Sequence, residues 1–149
     1  MITISDNYSA LLLIDKVKLD NVTRFLTENN FNDSRVGTLN DNPKTSARDI
    51  AAFFDKLYHD RLGDEPASKE MLELLKKQQL NSKIPKNIDE NVVIAHKTGE
   101  LGGISHDGGI VYGEKSDYVI VILSSTNNSL GANAKIVEIS SQVYEYFAK

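Results

Sequence analysis

Apolar residues recur every three or four positions through the first half of the chain, in windows separated by polar breaks, which places them on single faces of α-helices. The first such helix follows Ser5-Asp6-Asn7 and carries Leu11, Leu12 and Ile14. The next is predicted to be capped near Asp20, to carry Val22, Phe25 and Leu26, and to end at Asn29-Asn30. From Asn32 to Lys44 several Asn and Asp residues, a Gly and a Pro break any periodicity. This segment reads as a loop, and long polar loops often carry function. Ser46-Ala47-Arg48-Asp49 resembles a capping box, after which Ile50, Phe53, Phe54, Leu57 and Tyr58 form a helical stripe ending near Gly63. Ser68 is predicted to cap a further helix, with Met71, Leu72, Leu74 and Leu75 facing inward. The aromatic and leucine stripes read as core rather than as cofactor contacts.

The pattern changes near Ile88. Val92 to His96, Ile104 to Tyr112 and Tyr118 to Leu123 are rich in β-branched and aromatic residues and are separated by Gly-containing breaks, as in an antiparallel meander. Gly113 to Asp117 supplies the second turn. A final helix is predicted from about Ala134 to Phe147, with Ile136, Ile139, Val143 and Phe147 on the stripe that lies on the sheet. Residues 1–88 are thus mainly helical, and residues 89–149 hold three strands and a C-terminal helix. That order predicts an α+β layered architecture. The strand Tyr118 to Leu123 is apolar at every position, so both of its faces should be covered. Either it inserts between the other two strands, or a neighbour is missing from these 149 residues and it is left as a bare apolar edge.

Composition narrows the functional classes. The length suits one domain, and 40% hydrophobic with 26% charged residues is an ordinary globular mixture. No apolar run approaches the roughly 20 residues that cross a bilayer, so no membrane span is expected. A formal net charge of −4 with scattered lysines argues against a nucleic-acid groove. With no cysteine, disulfides, a thiol nucleophile and cysteine-based zinc sites are excluded. His59, His96 and His106 form no ligand spacing, and neither a metal nor a cofactor is implied. Met1-Ile2-Thr3-Ile4 leads straight into the polar Ser5-Asp6-Asn7, so no export signal is read at this N-terminus. Asn21-Val22-Thr23 and Asn127-Asn128-Ser129 match the glycosylation sequon and are given little weight.

Two triads carry candidate chemistry: Ser5-Asp6-Asn7 at the mouth of the first helix and Lys97-Thr98-Gly99 at the predicted end of the first strand. Read separately, the first is an N-cap turn and the second a strand end with a solvent lysine. Each alone arises by chance in roughly 2% of chains of this length, and the ordered pair in well under about 0.1%. With Thr45 to Asp49, the stretch His96 to Gly103, His106-Asp107-Gly108-Gly109-Ile110-Val111 and the closing helix, the chain resembles the C-terminal part of a class A β-lactamase-like serine hydrolase, related to penicillin-binding proteins. The resemblance covers essentially the whole chain.

The resemblance implies a role for each matched residue. Ser5 would lie between the nucleophile and Lys97 and relay a proton to the departing nitrogen. Asn7 would hydrogen-bond the substrate's acyl amide. Lys97 and Thr98 would hold the carboxylate common to β-lactams and acyl-D-Ala-D-Ala peptides. Gly99 would let the strand approach the substrate. The backbone N–H of Glu100 would be one of two oxyanion donors, each contributing about 3 to 4 kcal/mol of transition-state stabilisation. His106 stands near where relatives place an arginine that helps hold the carboxylate; the alternative is a half-buried strand histidine bonded to its surroundings.

Two departures from the family pattern stand out. No Ser-x-x-Lys occurs anywhere in the chain, so the nucleophile and the second oxyanion donor are absent, and this chain alone is expected to be inactive. No Glu occurs between Glu28 and Glu65, so the usual deacylation base is absent as well. Asp33 and Asp41 are candidate substitutes, set against a plain reading as solvated loop residues. The leading expectation is therefore the portion of a β-lactam or peptidoglycan-peptide acyl-transfer enzyme downstream of its nucleophile, extracytoplasmic if an upstream signal exists. A non-catalytic binding or interaction module of the same fold is the alternative, and an unrelated α+β domain with chance triads is a third. The bare strand edge gives a reason for self-association. The resemblance carries one geometric expectation: Ser5 and Lys97 converge on a cleft between the helical part and the sheet.

Overall fold

The computed structural model describes residues 1–38 and 41–147, so positions 39 and 40 of the predicted loop and the last two residues lie outside the described residues. Four helices come first: α1 (Asn7–Val17), α2 (Leu19–Glu28), α3 (Ala47–Tyr58) and α4 (Glu65–Lys76). The strands β1 (Val93–Leu101), β2 (Ile104–Tyr112) and β3 (Asp117–Ser125) follow, and α5 (Ser129–Phe147) closes the chain. The architecture is α+β, as the residue pattern predicts.

Local chemistry explains where the helices start. Asp6 caps α1 by accepting from the Ser9 N–H at 2.7 Å, and Ser46 caps α3 by accepting from the Asp49 N–H at 3.2 Å. Three predicted boundaries move. Asp20 falls in the first turn of α2 instead of capping it. The cap position is Lys18, whose N–H still bonds the Ile14 carbonyl, so α1 runs almost directly into α2. Asp64, not Ser68, caps α4: it accepts from the Ala67 N–H at 2.9 Å, and Pro66 suits the first turn because no helical N–H is lost there. Ser68 is fully buried inside the helix. The last helix begins five residues before the predicted Ala134, at Ser129, where the Asn128 side chain accepts from the Gly131 N–H at 2.9 Å.

The sheet is antiparallel with strand order β1-β2-β3. This order removes the first of the two alternatives for the third strand: β3 is an edge strand, and only Ile120 within it is buried. One sheet face sets Ala95 and Ile110 against Phe54, Leu57 and Leu75 of α3 and α4. The other sets Ile94, Val111 and Ile120 against Ile84, Ile88 and α5. The buried stripe of α5 is Ile136, Val137, Ser140 and Tyr144, whereas the predicted Ile139 and Phe147 are exposed. A serine enters the stripe because its Oγ donates to the Ile84 carbonyl at 2.9 Å, so a polar residue anchors the helix where periodicity of apolar residues would place Ile139.

The first helix buries nothing. Leu11, Leu12, Leu13, Ile14 and Val17 of α1 are all exposed, Leu11 to 64%. Together with the outer edge of β3, this leaves two apolar surfaces without a partner among the described residues.

The β1–β2 pairing depends on a glycine. A Cβ at Gly109 would lie 2.3 Å from the Ala95 carbonyl oxygen and 2.6 Å from His96 Cβ, so the two strands cannot keep their spacing around a side chain there. Gly109→Ala is expected to destabilise the fold by about 2–3 kcal/mol in urea unfolding. Gly102→Ala, where a Cβ meets nothing within 4 Å, should stay within about 0.5 kcal/mol of the parent.

Candidate active site

The N-terminal segment reaches the sheet through two backbone anchors. The Gln78 side chain donates to the Ile2 carbonyl at 2.8 Å, and the Gln79 N–H donates to the Thr3 carbonyl at 2.8 Å. These tie the chain ahead of α1 to the connection that leaves α4. Ser5 then adopts φ = 55°, in the left-handed region that an L-residue enters at a cost of about 1 kcal/mol or more. The turn delivers its hydroxyl to β1: Lys97 Nζ donates to Ser5 Oγ at 2.6 Å and to the Thr98 carbonyl at 2.6 Å. Ser5 and Lys97 thus converge where the helical layer meets the sheet. Loss of solvent pushes the Lys97 ammonium below the usual lysine range, the charge of Asp107 pushes it back up, and the like charge of Lys83 pushes it down again.

Beside this contact lies a largely apolar cavity of about 350 Å³. Ile50, Phe53, Phe54 and Met71 line its helical side, and Lys97, Thr98, Gly99 and His106 line its sheet side. Lys97-Thr98-Gly99 lies within β1, which continues to Leu101, and not at the strand's end as the residue pattern predicts. The hairpin closes on the pair Leu101–Ile104, and hydrogen-bonded pairs alternate from there, so Gly99 faces β2 while the N–H groups of Thr98 and Glu100 point to the free edge of β1. A Cβ on Gly99 would sit 3.4 Å from His106 Cβ, so the glycine keeps that side of the strand open. Asn7 is exposed in the first turn of α1. Neither Ser5, Asn7 nor Glu100 lines the cavity itself.

The remaining candidates have local partners. His106 Nδ1 accepts from the Ser124 N–H at 3.0 Å, which makes Nε2 the nitrogen that carries the proton in the neutral ring. In the loop, Asp41 pairs with Arg35, and Asp33 accepts from Ser46 Oγ at 2.9 Å.

Two groups central to the site escape sequence reasoning. Asp107, 1% exposed, accepts from the His96 ring at 2.9 Å and from the N–H groups of Ile84 and Gly108 at 3.0 Å each. Asn81 meets the other nitrogen of the His96 ring at 3.1 Å. Lys83, also 1% exposed, directs its ammonium at the carbonyls of His106 (3.2 Å) and Gly99 (3.4 Å) and at the Glu100 carboxylate (3.2 Å). The only trace of either group in the residue pattern is the repeated pairing of His with a charged neighbour in His96-Lys97 and His106-Asp107. Nothing separates Lys83 from a surface lysine.

A helical layer and an antiparallel sheet that meet at a Ser–Lys contact define a β-lactamase-like fold. The chain belongs to the Beta-lactamase2 family, the beta-lactamase enzyme family, whose model matches residues 1–147. A comparison with curated protein sequences found no match. Among solved structures, a beta-lactamase from Sphaerobacter thermophilus DSM 20745 is similar at 26% identity with a TM-score of 0.89, over 97% of this chain and 59% of that one. PBP-A is similar at 23% identity with a TM-score of 0.89, over 98% of this chain and 58% of that one. The TLA-3 extended-spectrum beta-lactamase is similar at 20% identity with a TM-score of 0.84, over 97% and 61%. The chain therefore spans about three-fifths of the length of these structures. Among the described residues, no helix is long and apolar enough to cross a membrane.

The depressed Lys97 sets a pH dependence. Its native ammonium should titrate below the ordinary value of 10.5, as read by NMR of its side-chain Cε. The native state then releases this proton before the unfolded chain does, so raising the pH from the native midpoint towards 10.5 stabilises the fold. Lys97→Met should abolish that rise, and Asp107→Asn should lower the Lys97 midpoint further.

Proposed function

We propose that the chain is the substrate-carboxylate side of the catalytic cleft of a serine hydrolase that transfers the acyl group of a β-lactam or an acyl-D-Ala-D-Ala peptide to serine. One observation carries the reading: Lys97, 92 positions away in sequence, holds the Ser5 hydroxyl at 2.6 Å. In this reading the ammonium lends its charge to the substrate carboxylate and lets Ser5 pass a proton to the leaving nitrogen. Thr98 supplies a second contact to the carboxylate, Asn7 holds the acyl amide, and the edge-facing Glu100 N–H is an oxyanion donor. Gly99 keeps the strand close to the substrate, and His106 borders the carboxylate site from β2.

The nucleophile comes from a Ser-x-x-Lys segment that these 149 residues do not contain. The exposed face of α1 and the open edge of β3 are the surfaces against which such a portion packs, which supports reading residues 1–149 as the C-terminal part of one larger domain. The compartment is extracytoplasmic, where peptidoglycan and its antibiotics are met. Asp33 and Asp41 are both engaged locally and the loop has no Glu, so acylation outpaces deacylation, as in a penicillin-binding protein. A PBP-A variant solved as an acyl-enzyme complex with penicillin G supports this comparison.

A second reading, a non-catalytic module that keeps the fold, is favoured by the absence of Ser-x-x-Lys. Fluorescent penicillin separates the two. The chain alone should remain unlabelled. Combined with an upstream segment that bears Ser-x-x-Lys, it should be labelled on that added serine. Lys97→Ala should slow the labelling by about 100-fold. A stable assembly that takes no label would leave the non-catalytic module as the function.

A further inference from the structure

Lys83 presents the problem of a lysine with almost no water. Its three N–H donors meet three oxygens, the carbonyls of His106 and Gly99 and the carboxylate of Glu100, which accounts for its whole hydrogen-bonding capacity. Anchoring the α4–β1 connection does not require this charge. The Ile84 N–H is already held by Asp107 at 3.0 Å, and the Ile84 carbonyl by Ser140 at 2.9 Å. At a site with no other task, a well-packed apolar side chain of similar volume is often as stable as a buried ion pair, or more so.

The placement of the charge points to a task. Gly99 C=O and Glu100 N–H belong to one peptide group, with the oxygen facing β2 and the N–H facing the open edge. A positive charge 3.4 Å from that oxygen draws electron density through the amide and makes the N–H a stronger donor. The same ammonium touches the His106 carbonyl, so it grips both strands at the pair that sets how far the Gly99–Glu100 peptide protrudes. We infer that Lys83 is a positioning residue for the oxyanion donor, acting through the Gly99–Glu100 peptide without touching substrate. The inference rests on the proposed reading of Glu100 N–H as that donor. The downward push of Lys83 on Lys97 adds to the case, because it favours a lysine that can hand protons to Ser5.

The test compares Lys83→Met and Lys83→Arg in two measurements. In the isotope-labelled 149-residue chain, Lys83→Met should move the Glu100 amide proton upfield and raise the Lys97 titration midpoint, while Lys83→Arg keeps both near the parent values. If Lys83→Met does not fold, Lys83→Gln, which keeps a donor but no charge, replaces it. In the assembly completed with the Ser-x-x-Lys-bearing segment, loss of the charge should slow penicillin acylation by about 10-fold with little change in the concentration for half-maximal rate, and arginine should restore the rate. A folded, uncharged variant with an unmoved Glu100 amide, or with full acylation rate, would overturn the inference. If the parent assembly takes no acyl group, the hydrolase reading falls, and the amide shift alone decides whether Lys83 polarises the peptide.

Discussion

An ammonium that has lost part of its water must find oxygen atoms, and the Lys97 ammonium finds them in the Ser5 hydroxyl and the Thr98 carbonyl, both at 2.6 Å. Much of the molecule is arranged around that requirement. Gln78 and Gln79 fix the segment that carries Ser5, and the left-handed turn at Ser5 aims its hydroxyl while Asp6 starts the helix. On the sheet side, Asp107 compensates part of the positive charge and is itself held by three donors. A second buried lysine, Lys83, adds to the positive field. In the proposed function, the Lys97 ammonium offers charge to an anion, and the free N–H groups of the β1 edge give that anion a direction.

Away from this contact, two surfaces lack a cover among the described residues. The sheet is covered by α3 and α4 on one face and α5 on the other, so its centre is well packed. What remains bare is α1 and the far side of β3. An apolar helix face and an apolar strand edge left in water favour either an intramolecular partner or association with another chain. In the proposed function that partner is intramolecular, the remainder of a larger domain.

Much of the architecture is legible in the residue pattern. Stripes such as Ile50, Phe53, Phe54 and Leu57 obey helical spacing because they bury one face, and β-branched strands flanked by glycine turns obey the meander. Boundaries fail where a short-range polar contact outweighs periodicity: Asp64 caps α4 in place of Ser68, and Ser140 enters the buried stripe of α5 because it can reach the Ile84 carbonyl. The Ser5–Lys97 meeting is legible only because the two triads occur together. Lys83 is not legible at all, and Asp107 only as a member of the His106 to Val111 motif, since their burial is decided by long-range pairing, and composition treats every lysine as a surface residue until the fold removes its water.

The proposed function requires binding of the terminal carboxylate of a D-Ala-D-Ala peptide at the β1 edge beside Lys97. This is tested most directly by titrating the isotope-labelled chain with N-acetyl-D-alanyl-D-alanine and following every backbone amide. Saturable shifts at Asn7, Thr98 and Glu100, lost in Lys97→Ala, are the predicted result. Shifts that do not saturate, or that gather on α1 or the β3 edge and survive Lys97→Ala, would contradict it.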